Sequence, residues 1–256
     1  MSNETARALE ELHVHQVYEE IADHFSETRH KPWPRVMEFL QGTVQEAGSI
    51  LVDVGCGNGK YLGHLNGVLQ IGLDYSRNLL NFVINKGCEA VRSDALSLPI
   101  KSETADACIS IAVIHHFSTE ARRIKAVQEL HRILRIGGHC LVYAWAKDQK
   151  AIDSKPSTYL EQAKVAEDTV ASQEITTDLN LTLPVHENRT NFKHNDLLVP
   201  WKKKTDTTTL HRYYHVFDRG ELESLVHKAL GVERASIEKV YYDQGNWCII
   251  FAKTSV

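Results

Sequence analysis

Residues 50 to 60 read Ile-Leu-Val-Asp-Val-Gly-Cys-Gly-Asn-Gly-Lys, an apolar run that leads into a loop with three glycines. A short apolar run bounded by glycine predicts a buried strand over residues 50–54. Glycine is needed where the backbone takes a positive φ or approaches a ligand closely. This stretch therefore predicts a strand whose carboxyl end presents a ligand-binding turn.

Strand and helix patterns alternate outward from that run. We predict strands at residues 50–54, 69–73, 90–92, 105–111 and 139–145, and helices at 9–25, 35–41, from about Gly59, at 76–86, 119–134 and 221–229. The strands at 237–242 and 247–251 are predicted to form an antiparallel pair through the turn Asp243-Gln244-Gly245-Asn246. This order predicts an α/β fold of the class I, Rossmann-like type, with a doubly wound, mostly parallel sheet and an antiparallel C-terminal strand pair.

The chain length of 256 residues, with 43% hydrophobic and 24% charged residues, predicts one domain over residues 1–256. We expect residues 1–45 to place helices over the active site, and residues 147–209 to form an insertion that is a candidate substrate lid. The part from 147 to 188 has four Lys against eight Asp or Glu and is expected to be loosely packed. Regular structure is expected to resume near Leu210.

Several classes of protein are disfavoured by composition. No apolar run approaches the roughly 20 residues of a membrane span, and the polar start lacks the charged-then-apolar order of a signal peptide. We therefore expect a cytoplasmic protein, with the nucleus as a second location. The five cysteines are widely spaced without a Cys-x-x-Cys pair, so we expect reduced thiols and no metal site. The net charge of −4 requires any nucleic-acid contact to come from a local basic patch.

A cofactor site is predicted at the turn after the first strand, where ligands bind in open parallel sheets. The loop lacks the last glycine of the dinucleotide fingerprint, which favours S-adenosylmethionine, a cofactor without a pyrophosphate. Asp74 follows Asp53 by 21 residues, where a carboxylate accepts the ribose hydroxyls, and Asp94 is placed to meet the adenine amino group. Each acid alone also fits a loop or a helix cap. The candidate cofactor-binding residues are Asp53, Gly55, Gly57, Gly59, Asp74, Asp94 and Ala95.

The glycine loop, together with the segments 98–100, 105–110 and 111–117, resembles class I methyltransferases. Three further segments, at residues 17–34, 212–217 and 245–248, resemble the tRNA 5-carboxymethyluridine carboxyl methyltransferases. The likeness is to the free-standing yeast type and to the methyltransferase part of an animal AlkB-like fusion protein. It implies esterification of the carboxylate of 5-carboxymethyluridine at the tRNA wobble position, which gives 5-methoxycarbonylmethyluridine.

The same resemblance implies a partner, a small zinc-binding methyltransferase activator subunit. The strand at 90–92 is expected at a sheet edge, where unpaired backbone groups are commonly covered by another chain. We therefore expect the activator to dock near residues 88–93.

A carboxylate is already a nucleophile at neutral pH, so orientation can supply most of the acceleration. Cationic donors would hold it, and the candidate catalytic residues are Arg29, His116 and Arg212. Aromatic rings that stack on an extruded base are typical of RNA recognition, and the candidates are Tyr18, Trp145, Tyr214 and Trp247. The stretch 189–215 has six Lys or Arg against two Asp, which makes Lys202 and Lys203 candidates for phosphate contact.

Other interpretations of these residues stay open. His115 is better explained as a packing or capping residue, the aromatic residues also fit the core, Arg29 also fits a helix end, and the basic stretch also fits a solvated loop. Two rival functions remain, a small-molecule methyltransferase and a catalytically silent RNA-binding protein with the same fold. The first predicts turnover without tRNA, and the second predicts no heat of binding with S-adenosylmethionine.

Overall fold

The structure is a computed structural model that describes residues 1–150, 173–187, 191–202 and 208–255. Its strands are β1 (Ile50–Val54), β2 (Leu69–Asp74), β3 (Glu89–Arg92), β4 (Ala105–Ile111), β5 (Leu134–Trp145), β6 (Glu174–Thr176), β7 (Thr182–Pro184), β8 (Asp196–Lys202), β9 (Thr209–His215), β10 (Ala235–Asp243) and β11 (Asn246–Lys253). Seven of them form one sheet in the order β10-β11-β5-β4-β1-β2-β3. Pairing is parallel from β5 to β3, and β11 is antiparallel to both of its neighbours. The predicted fold class is confirmed.

Helices cover both faces of this sheet. They are α1 (Asn3–Glu10), a π-helical turn (Glu11–His15), α2 (Gln16–Thr28), α3 (Pro34–Thr43), α4 (Arg77–Asn85), a 3₁₀ turn (Ile114–His116), α5 (Glu120–Ile133) and α6 (Glu221–Arg234). One core cluster joins the sheet to α5 and α6, and a second joins it to α3. Within the described ranges, no helix is both long and apolar enough to span a membrane.

Two expectations about regular structure are wrong. The helix from about Gly59 is absent, and turns fill that stretch, because Gly63 has a φ of 81° that a helix does not allow. Regular structure also returns before Leu210, since β8 pairs with β9 in an antiparallel hairpin. Leu197, Leu198 and Val199 of β8 are all buried, so the strand lacks the alternation that marks a strand with one buried face.

Only part of the predicted insertion can be compared with the structure. Its described residues include the short antiparallel pair β6–β7 as well as β8–β9. Residues 151–172, 188–190 and 203–207 lie outside the described residues, and the lid expected over 147–209 falls partly on them.

The N-terminal helices lie across the carboxyl edge of the sheet and are fixed there by buried polar contacts. Glu10, 1% exposed, forms a salt bridge of 2.6 Å with Arg122 of α5 and accepts a hydrogen bond of 2.8 Å from Ser118 N. Glu19 of α2 accepts a hydrogen bond of 2.5 Å from Ser76 Oγ, at the start of α4. These contacts place α2 above the end of β2.

Candidate active site

A cavity of about 700 Å³ opens at the carboxyl ends of β1, β2 and β4, beneath α2 and beside the β8–β9 hairpin. Cavities of this size accommodate a cofactor and a small substrate group. Most residues predicted as functional line it, namely Tyr18, Arg29, Asp53, Gly55, Gly57, Asp74, Asp94, Ala95, His116, Trp145, Lys202, Arg212 and Tyr214. Of the predicted residues that the structure describes, Gly59 and Trp247 are not among its lining. Lys203 lies outside the described residues.

The glycine turn is shaped by close packing. Gly55 has a φ of 77°, and a Cβ there would lie 2.2 Å from Val113 Cγ2, so only glycine fits. The amide of Gly55 donates to Leu73 O at 2.7 Å, which ties the turn to the end of β2. Gly59 has a φ of 70°, and a Cβ there would lie 3.0 Å from Val83 Cγ2 of α4. Gly55 and Gly57 thus line the ligand side of the turn, and Gly59 serves its packing.

The acidic residues after β2 and β3 shape the neighbouring turns. Asp74 accepts hydrogen bonds from Gly57 N at 2.8 Å and from Ser76 N at 2.9 Å, one on each oxygen. Asp94 accepts a hydrogen bond of 2.9 Å from Leu96 N. A carboxylate oxygen has two lone pairs, so these bonds leave acceptor capacity for ribose or adenine donors.

Asp53, at the end of β1, differs from the other two acids. It is 1% exposed, and its Oδ2 has no hydrogen-bond partner among the described residues. Burial raises the pKa of Asp53 to about 8, while the nearby Lys60 lowers it. Buried acceptors are normally satisfied, so this one fits a ligand that brings a cationic donor. S-adenosylmethionine carries such a group, and the residues present fit that cofactor.

A chain of hydrogen bonds crosses the far side of the cavity. The Tyr213 carbonyl can only accept, so His116 Nδ1 donates to it at 3.0 Å and His116 Nε2 accepts from Tyr18 Oη at 3.1 Å. Tyr18 Oη then accepts from Tyr214 Oη at 3.3 Å, and Tyr214 Oη accepts from Arg212 Nη1 at 2.8 Å. With a neutral His116 ring, the carbonyl at one end and the guanidinium at the other fix the direction of every bond in the chain.

Burial keeps His116 neutral in the folded protein. It is 8% exposed, and burial lowers its pKa to about 3, against a smaller opposing effect of the Tyr213 carbonyl. This differs from the expectation that His116 supplies a positive charge, because both ring nitrogens are engaged in the neutral tautomer. The neighbouring His115 stacks on Tyr214 at 4.6 Å, in agreement with a packing residue.

Two arginines flank one indole ring in the cavity. The guanidinium of Arg212, which is buried, lies 4.6 Å from the centre of Trp201, and that of Arg29 lies 5.7 Å from it. Arg29 follows α2 and is exposed at the mouth, where partial burial and then the charge of Arg212 lower its pKa. Arg29 has no carboxylate within 4 Å among the described residues. The pair makes this end of the cavity attractive to an anion.

The remaining predicted substrate residues fall in different places. Trp145, at the end of β5, lines the cavity with its ring centre 4.9 Å from that of Tyr214. Lys202 lines the mouth at the end of β8. Trp247 packs on the core beside the sheet, with its ring 5.4 Å from Tyr242, and does not reach the cavity.

Several cavity residues were missed from sequence. Lys60 lies over the ring of Trp33 at 4.5 Å, His15 stacks on Tyr75 at 3.7 Å, and the ring of Trp201 is in contact with both arginines. The position of Lys60 next to the glycine turn was the available signal for that residue. The other contacts join distant segments, and no local pattern marks them.

Comparison with known proteins agrees with this arrangement. The family model described as a methyltransferase domain matches residues 52–142. The tRNA (carboxymethyluridine(34)-5-O)-methyltransferase alkbh8 of Xenopus tropicalis is 44% identical, and the match covers 97% of this chain and 42% of that protein. The chain thus spans less than half the length of this relative, as it does for the mouse protein of the same name, of which it covers 45%.

Shorter relatives match over most of their length. The Schizosaccharomyces pombe tRNA (carboxymethyluridine(34)-5-O)-methyltransferase is 40% identical, with 95% of this chain and 97% of that protein covered. The crystal structure of the Pyrococcus horikoshii protein PH0226 superposes with a TM-score of 0.58 at 16% identity over 85% of this chain and 88% of that chain, which supports the fold alone. With the glycine turn, the cavity and these matches together, the chain belongs to the family of tRNA (carboxymethyluridine(34)-5-O)-methyltransferases.

Proposed function

We propose that this chain transfers a methyl group from S-adenosylmethionine to the carboxylate of 5-carboxymethyluridine at the tRNA wobble position. The products are the methyl ester, 5-methoxycarbonylmethyluridine, and S-adenosylhomocysteine, which keeps the electron pair of the broken sulfur–methyl bond. The observation that carries the proposal is the cavity itself, because one continuous space joins the glycine turn to the arginines beside Trp201. A methyl donor at one end and an anion at the other can meet within it.

The role of each residue follows from its position in the cavity. When bound, S-adenosylmethionine supplies an electrophilic methyl group on a sulfonium. Gly55, Gly57 and Asp74 shape the space for the cofactor, and Asp53 offers a buried acceptor to a cationic group. Arg212 offers the planar fork that matches a carboxylate, and its contacts with Tyr214 and Trp201 hold that fork in one orientation.

No general base is required, because the attacking group is an anion at neutral pH. The unprotonated Nε2 of His116 accepts the hydrogen bond of the Tyr18 hydroxyl and so orients it, and His116 takes no proton from the substrate. Catalysis then rests on alignment of the carboxylate with the methyl group and on exclusion of water. Lys202 and the aromatic residues at the mouth, Trp145 and Tyr18, supply contacts for phosphate and base.

The test is methylation of tRNA that carries 5-carboxymethyluridine, with labelled cofactor and with the activator present. We expect label in the tRNA that alkali removes, since the product is an ester. Arg29→Met should lower the rate at least tenfold. Lys31→Met is the matched control, since Lys31 is an exposed cation two residues away and is not part of the cavity lining, and it should keep the rate. Alkali-stable label, or equal turnover of free carboxylic acids without tRNA, would overturn the proposal.

We also propose that an activator subunit docks at the edge strand β3. The edge strand β3 supports it, since Val91 is 43% exposed and the neighbouring Leu69 and Ile84 are 46% and 58% exposed. An edge with apolar side chains is a suitable place for another chain to add. Amide exchange at residues 88–93 should slow when the activator is added, and unchanged exchange there would count against this docking site.

A further inference from the structure

Three titratable side chains meet at the base of the β8–β9 hairpin, and none of them lines the cavity. His215, the last residue of β9, is 6% exposed. Its Nδ1 lies 2.9 Å from Asp196 Oδ1, and its Nε2 lies 2.6 Å from Glu221 Oε1. An ionised carboxylate can only accept, so both ring nitrogens donate and the ring is cationic. Asp196 begins β8 and Glu221 begins α6, so these residues, which we call the His215 clip, join the hairpin to a helix.

The pKa values of the clip agree with a cationic ring between two ionised acids. Burial lowers the pKa of His215, but hydrogen bonds to Asp196 and Glu221 outweigh burial and raise that pKa above 6.5. Burial raises the pKa of each acid, and the hydrogen bond from His215 is the largest of the effects that together lower it. Arg123 of α5 also acts on the ring and lowers its pKa, whereas the nearby His115 is kept neutral by burial.

The end of β9 carries the clip on one face and active-site contacts on the other. Tyr213 donates its hydroxyl to Asp196 Oδ1, the oxygen that also accepts from His215. The backbone carbonyl of Tyr213 accepts from His116 Nδ1 at 3.0 Å. Side chains alternate along a strand, and Arg212 points to the opposite face, where it lines the cavity. The hairpin is not part of the seven-stranded sheet, so contacts at its base help to fix the place of Arg212.

We propose that the cationic His215 is a positioning residue for methyl transfer. By joining Asp196 to Glu221 it holds the end of β9 in place, and with it the Arg212 guanidinium that faces the substrate carboxylate. This role rests on the proposed function, in which Arg212 binds that carboxylate. His215 does not line the cavity, so it acts through the strand.

Loss of one proton from His215 should release the clip. A neutral imidazole has a single donor, so one of the two hydrogen bonds is lost and two carboxylates remain beside an uncharged ring. Because the pKa of His215 is raised in the folded chain, the stabilisation is complete below pH 6.5 and is lost as the pH rises through the folded value. The methylation rate should therefore fall on the alkaline side of that value.

The experiment is the pH dependence of kcat/KM for tRNA that carries 5-carboxymethyluridine, with saturating cofactor and with the activator present. Turnover is followed as S-adenosylhomocysteine formed, because alkali hydrolyses the ester. In Asp196→Asn the amide oxygen can still accept from His215 and Tyr213, but one negative charge is removed. This variant should keep the wild-type rate at the acidic end of the profile and move the alkaline limb to lower pH by about one unit.

His215→Gln removes the titrating ring and leaves only one nitrogen donor at this position. Its kcat/KM should be lower at least about tenfold at the acidic end, and its profile should lack the alkaline limb. Calorimetry should find its affinity for S-adenosylhomocysteine unchanged. A His215 that only stabilised the fold would lower the rate alike at every pH and would leave the limb of Asp196→Asn at the wild-type pH.

His131→Gln is the matched control. His131 is a buried histidine of α5 whose Nε2 lies 3.0 Å from Arg234 O, and it does not line the cavity. This variant should keep the alkaline limb at the wild-type pH. If the wild type has no alkaline limb, or shares it unchanged with Asp196→Asn, the positioning role is wrong and the proposed function stands. If the wild type does not methylate the tRNA at any pH, the proposed function fails and the positioning role fails with it.

Discussion

Replacing His116 by Gln should make the protein less sensitive to acid. The His116 ring has a pKa of about 3 in the folded chain and an ordinary value of 6.5. Unfolding releases the ring to take up a proton below pH 6.5, so the stability contributed by its neutral form is complete above that pH and falls as the pH approaches 3. Glutamine can still donate to the Tyr213 carbonyl and accept from Tyr18, but it does not titrate.

The size of the effect follows from the two pKa values. A group with these two pKa values lowers the free energy of unfolding by about 2 kcal/mol when the pH falls from 7 to 5. Between the two pKa values the slope approaches about 1.4 kcal/mol per pH unit. The variant should be less stable than the wild type at pH 7, because its packing is poorer. Its loss between pH 7 and pH 5 should nevertheless be smaller by about 2 kcal/mol.

Urea unfolding at pH 7, 6 and 5, followed by tryptophan fluorescence, measures this difference. Tyr18→Phe is the control, because it removes the hydrogen bond to His116 Nε2 and keeps the titrating ring. An identical pH dependence in wild type and His116→Gln would refute the neutral, buried His116. A methylation rate with an ionisation near pH 6.5 that disappears in the variant would also refute it, since it would mean that the cationic ring acts in catalysis.

Three further predictions test the glycine turn, the mouth of the cavity, and the end of the cavity formed by Arg29 and Arg212, which we call the anion end. In Gly55→Ala the new Cβ would lie 2.2 Å from Val113 Cγ2, so the variant should lose about 1–3 kcal/mol of stability in thermal unfolding and should not bind the cofactor. Adding Val113→Ala removes that clash and should restore part of the stability. Arg212→Lys keeps the charge but loses the fork held by Tyr214, so kcat/KM for tRNA should fall at least tenfold in the methylation assay, while calorimetry finds cofactor affinity unchanged. Lys202→Gln should weaken tRNA binding and reduce the slope of log affinity against log salt by about 0.7, and an unchanged slope would remove Lys202 from phosphate contact.

The sheet and the cofactor end could be predicted because their signals are local. The apolar run before Gly55 and the spacing to Asp74 lie within consecutive residues, and the parallel arrangement brings them to one edge. The helix predicted from about Gly59 is wrong, since the positive φ of Gly63 is not visible in an apolar pattern.

The anion end depends on contacts between distant segments. The neutral state of His116 follows from its burial among distant segments, and its tautomer follows from a carbonyl 97 residues away. The place of Trp201 depends on the hairpin that carries it. By composition, residues 189–215 are one basic stretch. The structure separates Arg212, which is buried in the cavity, from Lys202 at its mouth, a distinction that composition does not contain.

The pair of arginines beside Trp201 has a consequence for turnover. On the proposed reaction, the substrate enters as an anion and leaves as a neutral ester, so methylation removes the charge that held it between Arg29 and Arg212. The like charges of the two arginines then face each other again without a counter-ion from the substrate. The finished tRNA is therefore bound less tightly than the unfinished one, and the chemical step itself promotes product release and protects the enzyme from inhibition by its modified product.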